Sequence, residues 1–172
     1  MAISLYDVSV ANFIQTVGAV SAFLDKGLAW AKENGHDPEA LVETQLAGDM
    51  LPFRFQIASV VHHSAGAIAG VKAGVFRPPG AVEGDYAALQ ASVAAALADL
   101  KAQSRDEIDA LEGKDVVFKL GERGLPFTAE NFLMTFSLPN LHFHATTAYD
   151  ILRQKGAPLG KRDYLGGMRL KM

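Results

Sequence analysis

The sequence of 172 residues contains no cysteine, which excludes disulfide bonds, thiol nucleophiles and thiolate metal sites. It also has no basic excess: the net charge is −3, whereas a nucleic-acid-binding surface requires a clustered basic face. No stretch approaches the roughly 18 uninterrupted apolar residues of a membrane span. The opening MAISLYDVSVANF lacks the three regions of a signal peptide. We therefore expect a cytoplasmic protein that binds neither nucleic acid nor a membrane.

Two common catalytic motifs are also absent from the sequence. It has neither a glycine-rich phosphate-binding loop nor the G-x-S-x-G elbow of hydrolases. What the chain does have is 49% hydrophobic and 20% charged residues, which is the composition of an ordinary soluble globular domain. Because the length suits one domain and no linker or repeat interrupts it, residues 1–172 are predicted to form a single domain.

Apolar residues spaced by three and four predict four long amphipathic helices. Glycine or a capping side chain marks several of their ends. Short helical turns are predicted after Asp37 and between Ser104 and Leu111. The long helices are expected from Val10 to just before Gly35, from about Pro52 to Ala73, after the cap Asp85, and from the cap Thr128 to about Lys155.

The segment DVVFKLGERGLPFT changes to alternating apolar residues around a turn, which predicts a β-hairpin. The preceding VFRPPGAVEG is predicted to be an irregular loop. Pro139 lies inside the last helix and predicts a kink or break near residues 136–138. The small residues of SAGAIAGVKAG would let another helix approach closely. Together these elements predict an all-α fold: an antiparallel four-helix bundle with short extra helices and a small β-hairpin before the last helix.

The five histidines of the sequence are the main candidates for chemistry. His142 and His144 are two residues apart on a helix and point to different faces, so they cannot chelate one metal ion together. His62 and His63 are adjacent, so only one of them can face the interior, and the sequence does not decide which.

The sequence predicts a candidate site around His144, with Asn140 one turn earlier on the same helix. His63 or His62 from the second long helix, Asp49 just before that helix, and Tyr149 complete the set. Such groups could hold a divalent metal, although an amide oxygen is a weak ligand. The alternatives are a polar binding pocket, or a buried His144 that is satisfied by a hydrogen bond while Asn140 stabilises the Pro139 region.

Three stretches of the chain resemble the DinB-like (YfiT-like) helical-bundle superfamily, in a branch catalogued as a domain of unknown function. The stretches are FHATTAYDILRQKGAPLGKRDYLG, ISLYDVSVANFIQ and AGDMLPFRFQIAS. The resemblance implies a four-helix bundle, often dimeric, with a three-histidine metal site. It places two ligand positions on Asn140 and His144, of which only His144 is a histidine, and the third near Gln56 or at His63.

Two hypotheses of function follow. The first is a small-molecule-binding or self-associating module with a polar pocket between the second and last long helices.

 The second is a divalent-metal-dependent enzyme, thiol-transferase-like or hydrolase-like, with a degenerate site that binds zinc or nickel weakly. Under both hypotheses a homodimer is expected from the resemblance.

Overall fold

The computed structural model describes residues 3–171, so Met1, Ala2 and Met172 of the predicted 1–172 domain lie outside the described residues. Its elements are mainly helical, and two of the helices are interrupted or preceded by π-helical segments, here named π1 and π2. The elements in chain order are α1 (Leu5–Val8), α2 (Val10–Glu33), α3 (Pro38–Val42), α4 (Phe53–Val61), π1 (His62–Gly66), α5 (Ala67–Ala73), β1 (Val75–Phe76), α6 (Tyr86–Ala102), α7 (Arg105–Asp109), β2 (Asp115–Leu120), β3 (Arg123–Thr128), α8 (Ala129–Asn131), π2 (Phe132–Ser137), α9 (Leu138–Lys155) and α10 (Lys161–Leu165).

The predicted long helices are confirmed, and local chemistry explains where they end. The Asp85 side chain accepts a hydrogen bond from the backbone N–H of Ala88, which caps the start of α6. Gly156 follows α9 with φ of +106°, a left-handed conformation that glycine adopts without steric cost. The short helices predicted after Asp37 and Ser104 are α3 and α7.

The core lies where the long helices meet. Helix α2 packs against α6 and α9, and α4 packs against the same two helices. The side chains at their contacts are large and almost completely shielded from solvent, so they supply most of the apolar burial that stabilises the fold. Prominent among them are Phe13, Phe23, Phe53 and Tyr86.

The predicted hairpin is confirmed, but the all-α prediction is wrong in one respect, because the fold contains a three-stranded mixed sheet. Strands β2 and β3 pair antiparallel through the turn at Gly121. Strand β1, in the segment predicted to be an irregular loop, pairs parallel with β2 through Val75 and Phe76. A strand of two residues is too short for alternation to reveal it.

Gly70, one of the small residues of the second long helix, gives this strand room to approach. A Cβ atom built on Gly70 would lie 2.8 Å from Cδ2 of Phe76 and 3.3 Å from the carbonyl oxygen of Val75. The close approach of another helix that the small residues predict occurs at the start of this segment, where π1 packs against α6 and α9, whereas glycine at position 70 is needed for contact with β1.

The chain remains helical through Pro139, so of the predicted kink or break the break does not occur; the predicted irregularity takes the form of the π-helical segment π2 just before it. Proline has no N–H to donate, and its position in the first turn of α9 is one where helices tolerate it. The side chain of Asn140 donates from Nδ2 to the carbonyl oxygen of Phe136 at 2.7 Å, which ties this turn to π2.

One helical stretch among the described residues, Leu5–Glu33, is long and apolar enough to cross a membrane by length and composition alone. Half of its apolar window is buried inside the fold. Core helices of soluble proteins and signal sequences meet the same criterion, so this feature by itself assigns no membrane role.

Candidate functional site

His144 is held by a relay of hydrogen bonds between the second and last long helices. The Gln56 side chain of α4 donates from Nε2 to the carbonyl oxygen of Leu51 at 2.7 Å, and its Oε1 lies 2.8 Å from Nδ1 of His144. Gln56 is buried, with 2% of its surface exposed, while His144 is half-buried. The relay therefore joins the start of α4 to α9 through an amide that has little freedom to turn.

The direction of this relay fixes the proton on the His144 ring. Because Nε2 of Gln56 is used as a donor to Leu51, its Oε1 faces the imidazole and can only accept. Nδ1 of His144 must then carry the hydrogen, and Nε2 of the same ring keeps a free lone pair. His144 is consequently oriented as a hydrogen-bond acceptor or a weak base toward anything that reaches Nε2.

His63, in π1, places a second imidazole beside the first. The centroids of the His63 and His144 rings are 5.9 Å apart, and their planes are inclined by 10°. His63 is buried, and its Nδ1 has no hydrogen-bond partner among residues 3–171. A buried polar atom without a partner is costly in a folded protein and is common at functional sites.

Both imidazoles are neutral near pH 7. Burial lowers the pKa of His144 to about 4. For His63, burial together with the nearby His62 and His144 rings lowers the pKa to about 3. Because the ring nitrogens carry no charge at that pH, the site can bind through hydrogen bonds and lone pairs rather than through ionic attraction.

Aromatic side chains surround the two imidazoles. Phe55 and Phe143 meet the His144 ring at steep angles, with centroid distances of 5.9 Å and 5.2 Å. Phe136, from π2, contacts the His63 ring at 5.6 Å. Phe143 is exposed and lines the solvent side of the site, whereas Phe55 and Phe136 are half-buried.

The structure settles which of the adjacent histidines faces inward. His63 is the buried one, and the half-buried His62 stacks on Phe76 at 4.2 Å and lies with Nε2 2.8 Å from the carbonyl oxygen of Arg77. His62 therefore anchors the chain after β1 and does not share the His144 site.

His142 lies on a different face of α9 from His144, as the two-residue spacing predicted. Its Nδ1 is 3.1 Å from the hydroxyl oxygen of Tyr164 in α10, so its hydrogen-bond partner is not part of the Gln56 relay. The two histidines that are closest in sequence thus belong to separate surroundings.

The other predicted site residues divide into two groups. Gln56 and His63 both contact His144, and Asn140 lies one turn before it with its Nδ2 committed to the Phe136 carbonyl. Asp49 is exposed in the turn before α4. Tyr149 packs instead against Phe23 and Tyr164, on the side of α9 that faces α2 and α10.

The side chains present do not fit a three-histidine metal centre. Among the described residues no group of three histidine, cysteine, aspartate or glutamate side chains is placed to hold a metal ion. The Gln56 amide is engaged at both ends, and the Asn140 amide at its nitrogen. The set His144, Asn140 and His63 stays a prediction for weak metal binding, since two imidazoles and an amide bind a divalent ion less tightly than three imidazoles.

Sequence reasoning missed the aromatic side of this site. Phe55 and Phe143 belong to apolar patterns that also predict core packing, and no spacing distinguishes a phenylalanine at the edge of a site from one in the core. The two π-helical segments were missed as well, although such segments recur at functional sites. Pro139 was the one signal of irregularity in this part of the chain.

Comparisons with known proteins give a family match and a structure with a similar fold. A family model described as a domain of unknown function (DUF1993) matches residues 5–165. The crystal structure of a DinB family member protein from Shewanella denitrificans is similar to this chain, with 28% sequence identity and a TM-score of 0.80, covering 98% of this chain and 95% of that one. No curated protein matches the chain. The DinB-like resemblance predicted from the sequence is thereby confirmed.

Proposed function

This chain belongs to the DUF1993 family, and we propose that it is a binding module that holds an uncharged small molecule at His144, in a pocket between the second and last long helices. The proposal places the site in an antiparallel four-helix bundle formed by α2, α4 with α5, α6 and α9. We further propose that the protein acts in the cytoplasm.

The hydrogen-bond relay from Leu51 through Gln56 to His144 is the observation that carries this proposal. A histidine that serves only to fill a core gains nothing from having one particular nitrogen left free. Here the relay holds Nδ1 as the donor and leaves Nε2 of a half-buried ring as an acceptor. This is the preorganisation that a binding site needs, because the acceptor is oriented before a ligand arrives.

The surroundings of His144 define the class of ligand. The imidazole is neutral and the lowering of its pKa is caused by burial alone, so neither an anion nor a cation would find an opposite charge here. Phe55 and Phe143 offer apolar faces beside it. A molecule with a hydroxyl or N–H donor on an apolar ring matches both features.

Phenol is a suitable probe of this site, since its hydroxyl can donate to Nε2 of His144 while its ring lies against phenylalanine. We expect saturable shifts of the His144 ring signals when phenol is titrated, followed by nitrogen–proton NMR correlation spectra. Before addition of phenol, those spectra should show the proton on Nδ1. His144→Phe should weaken phenol binding about tenfold, the effect of losing one hydrogen bond.

Two controls make this test specific. Anisole, which has the ring but no hydroxyl proton, should bind much more weakly than phenol, and the exposed His36→Gln variant should bind phenol as the parent protein does. Gln56→Leu should release the ring, so that its proton moves between the two nitrogens. Equal binding of phenol and anisole, or a proton on Nε2 in the parent protein, would contradict the proposal.

Weak binding of a divalent metal is the second candidate, favoured by the neutral state of both imidazoles, which is the state that ligates metals. Elemental analysis of protein purified without a histidine tag distinguishes the two candidates. Stoichiometric zinc or nickel that disappears in His144→Ala would favour a metal-dependent enzyme. Substoichiometric metal, together with phenol binding, would favour the binding module.

We also propose that the protein is a homodimer whose subunits meet through the alanine-rich side of α6. That side exposes small residues that allow close helix contact: Ala87, Ala91, Ala94, Ala95 and Ala98. The free edge of β3 is a poor alternative. The N–H of Val117 donates to the carbonyl oxygen of Gly74, just before β1, so the backbone of Val117 faces β1 and not β3. Its partner Pro126 in β3 therefore has its nitrogen on the outer edge of the sheet. Because proline has no N–H, this edge lacks a donor there.

Ala91→Arg is expected to convert the dimer to a monomer, because a long charged side chain would separate the two α6 helices. Size-exclusion chromatography with light scattering gives the mass directly. Ala102→Arg, at the exposed end of the same helix, serves as the matched control and should leave the dimer intact. A parent protein that is monomeric at micromolar concentration would contradict this proposal.

A further inference from the structure

A second recess lies on the side of α9 away from the Gln56 relay, where α2, α9 and α10 meet. Its volume is about 170 Å³. Almost all of its lining is polar and uncharged, which distinguishes it from the aromatic surroundings of His144. The residues that line it are Asn12, Gln15, Thr16, His142, Tyr164 and Leu165.

Thr16 is the side chain in this recess that points to a ligand. Only 7% of its surface is exposed, and within residues 3–171 its hydroxyl makes no hydrogen bond. A threonine in a helix commonly donates to the carbonyl four residues earlier, as Thr147 does to Phe143 at 2.8 Å. Thr16 does not make that hydrogen bond, and it lines a cavity. Its hydroxyl can therefore form a hydrogen bond with a molecule bound in the cavity.

The opposite wall of the recess is a small network around the Tyr164 hydroxyl. Thr146 donates to this oxygen at 3.1 Å, and the Nδ1 atom of His142 lies at the same distance from it. If the threonine donates, the tyrosine proton is directed to Nδ1, and Nε2 of His142 carries the ring's hydrogen. The wall therefore presents the N–H at Nε2 of His142 as a donor and the hydroxyl oxygen of Tyr164 as an acceptor.

A third group comes from α2. The Gln15 side chain donates from Nε2 to the carbonyl oxygen of Leu165 at 2.9 Å, which leaves its Oε1 as an acceptor and fixes α10 against α2. Leu165 supplies the one apolar side chain of the lining. The recess thus combines groups that give and accept hydrogen bonds with a small apolar face.

The chemistry of the lining selects against charged ligands. No lysine, arginine, aspartate or glutamate lines the recess, and the Arg169 guanidinium at its edge donates to Oδ1 of Asn12 at 3.0 Å. A cation would therefore lose its hydration without gaining an opposite charge, and an anion would have to compete with Asn12 for Arg169. Hydroxyl groups suit the lining better, because each can both donate to Gln15 and accept from Thr16 or His142. The carbon atoms between the hydroxyls would face Leu165.

We propose that this recess binds an uncharged polyhydroxylated molecule of about the size of glycerol. The recess of about 170 Å³ is large enough for such a molecule, which takes the space of roughly four water molecules at about 30 Å³ each. The site is independent of the one at His144, because none of its lining residues takes part in the Gln56 relay and His142 lies on another face of α9. Failure of either proposal leaves the other standing.

Titration of the protein with glycerol, followed by methyl NMR spectra, tests the proposal. We expect saturable shifts of the Thr16 and Leu165 methyl signals. Thr16→Val removes the hydroxyl and keeps the side-chain shape, and Tyr164→Phe removes the hydroxyl at the opposite wall. Each should weaken glycerol binding about tenfold.

A matched control and a second probe separate binding from general solvent effects. Thr135 is an exposed threonine of π2 whose hydroxyl donates to the carbonyl oxygen of Asn131. The Thr135→Val variant should bind glycerol as the parent protein does. 1-Pentanol has the same number of non-hydrogen atoms but a single hydroxyl, and should produce no saturable shift. The proposal is overturned if glycerol gives no saturable shift, if pentanol gives the same one, or if folded Thr16→Val binds glycerol equally well.

Discussion

Truncation of Phe132 to alanine is expected to lower the free energy of unfolding by about 3–5 kcal/mol, the usual cost of removing a fully buried phenylalanine. Phe132 has no exposed surface. The centroid of its ring lies 5.0 Å from that of Phe76 in β1, 5.8 Å from that of Phe127 in β3 and 5.5 Å from that of Phe136 in π2. It therefore joins two strands of the sheet to the start of the last long helix.

The size of the effect follows from what Phe132 connects. A hairpin by itself is marginal in water, and β1 is only two residues long, so the sheet depends on its packing against the helices. The cavity left by alanine would remove contacts from three elements at once. Because small domains are stable by about 5–15 kcal/mol, this loss is a large fraction of the total.

Urea denaturation followed by circular dichroism measures this change. Leu120→Ala in the same sheet is the control: Leu120 is 56% exposed, so its truncation should change the free energy of unfolding by no more than about 0.5 kcal/mol. A loss of less than about 1.5 kcal/mol in Phe132→Ala would show that the sheet does not rely on this aromatic contact.

The long helices could be predicted from the sequence because their signals are local and repeat over many residues. In α2 the apolar residues recur along one face, and Gly35, with φ of +70°, follows its C-terminus as predicted. In α6 the cap Asp85 marks the start. Periodicity and capping depend on neighbours within one or two turns, so they can be evaluated without knowing the fold.

Strand β1 could not be predicted, since its formation depends on distant residues. Val75 and Phe76 pair with Val117 and Phe118, which are more than forty positions away in the chain. The approach is possible because Gly70 has no Cβ atom to collide with Phe76. A run of small residues indicates that something comes close, but it does not say whether the neighbour is a helix or a strand.

The candidate site was predictable in part. The sequence identified His144 and named both Gln56 and His63 as possible partners from the second long helix, without choosing between them. The structure places both next to His144 in different ways: Gln56 by a hydrogen bond and His63 by ring contact. Which residues of the second long helix lie opposite His144 depends on π1 and on the packing of α4 against α9, and neither feature has a local signal in the sequence.

Lowering the pH from 7.5 to 5 is expected to reduce the free energy of unfolding by about 4 kcal/mol, because two buried imidazoles resist protonation. The pKa is about 3 for His63 and about 4 for His144, against 6.5 for an ordinary histidine. The unfolded chain therefore binds protons that the folded chain excludes. Stability is complete above pH 6.5 and is lost progressively as the pH falls toward 4.

The interval between pH 6.5 and 5 isolates the histidines from the carboxylates. Hydrogen bonds lower the pKa of Glu130 and Asp163, whose ordinary values are 4.5 and 3.8, so their contributions are lost only at more acidic pH. Each imidazole contributes up to about 1.4 kcal/mol per pH unit in this interval. Burial also lowers the pKa of His62 and His142, which adds to the slope.

Urea denaturation at several pH values measures this slope, and substitution assigns it. His63→Gln removes one titrating group and should lower the slope by roughly 1.4 kcal/mol per pH unit, even if the variant is less stable at every pH. His36→Gln changes an exposed histidine and should leave the slope unchanged. Because the comparison uses slopes, it does not depend on the absolute stability of either variant. An equal slope in His63→Gln and the parent protein would mean that the His63 ring is protonated as easily in the folded chain as in the unfolded one, which its burial beside His144 does not allow.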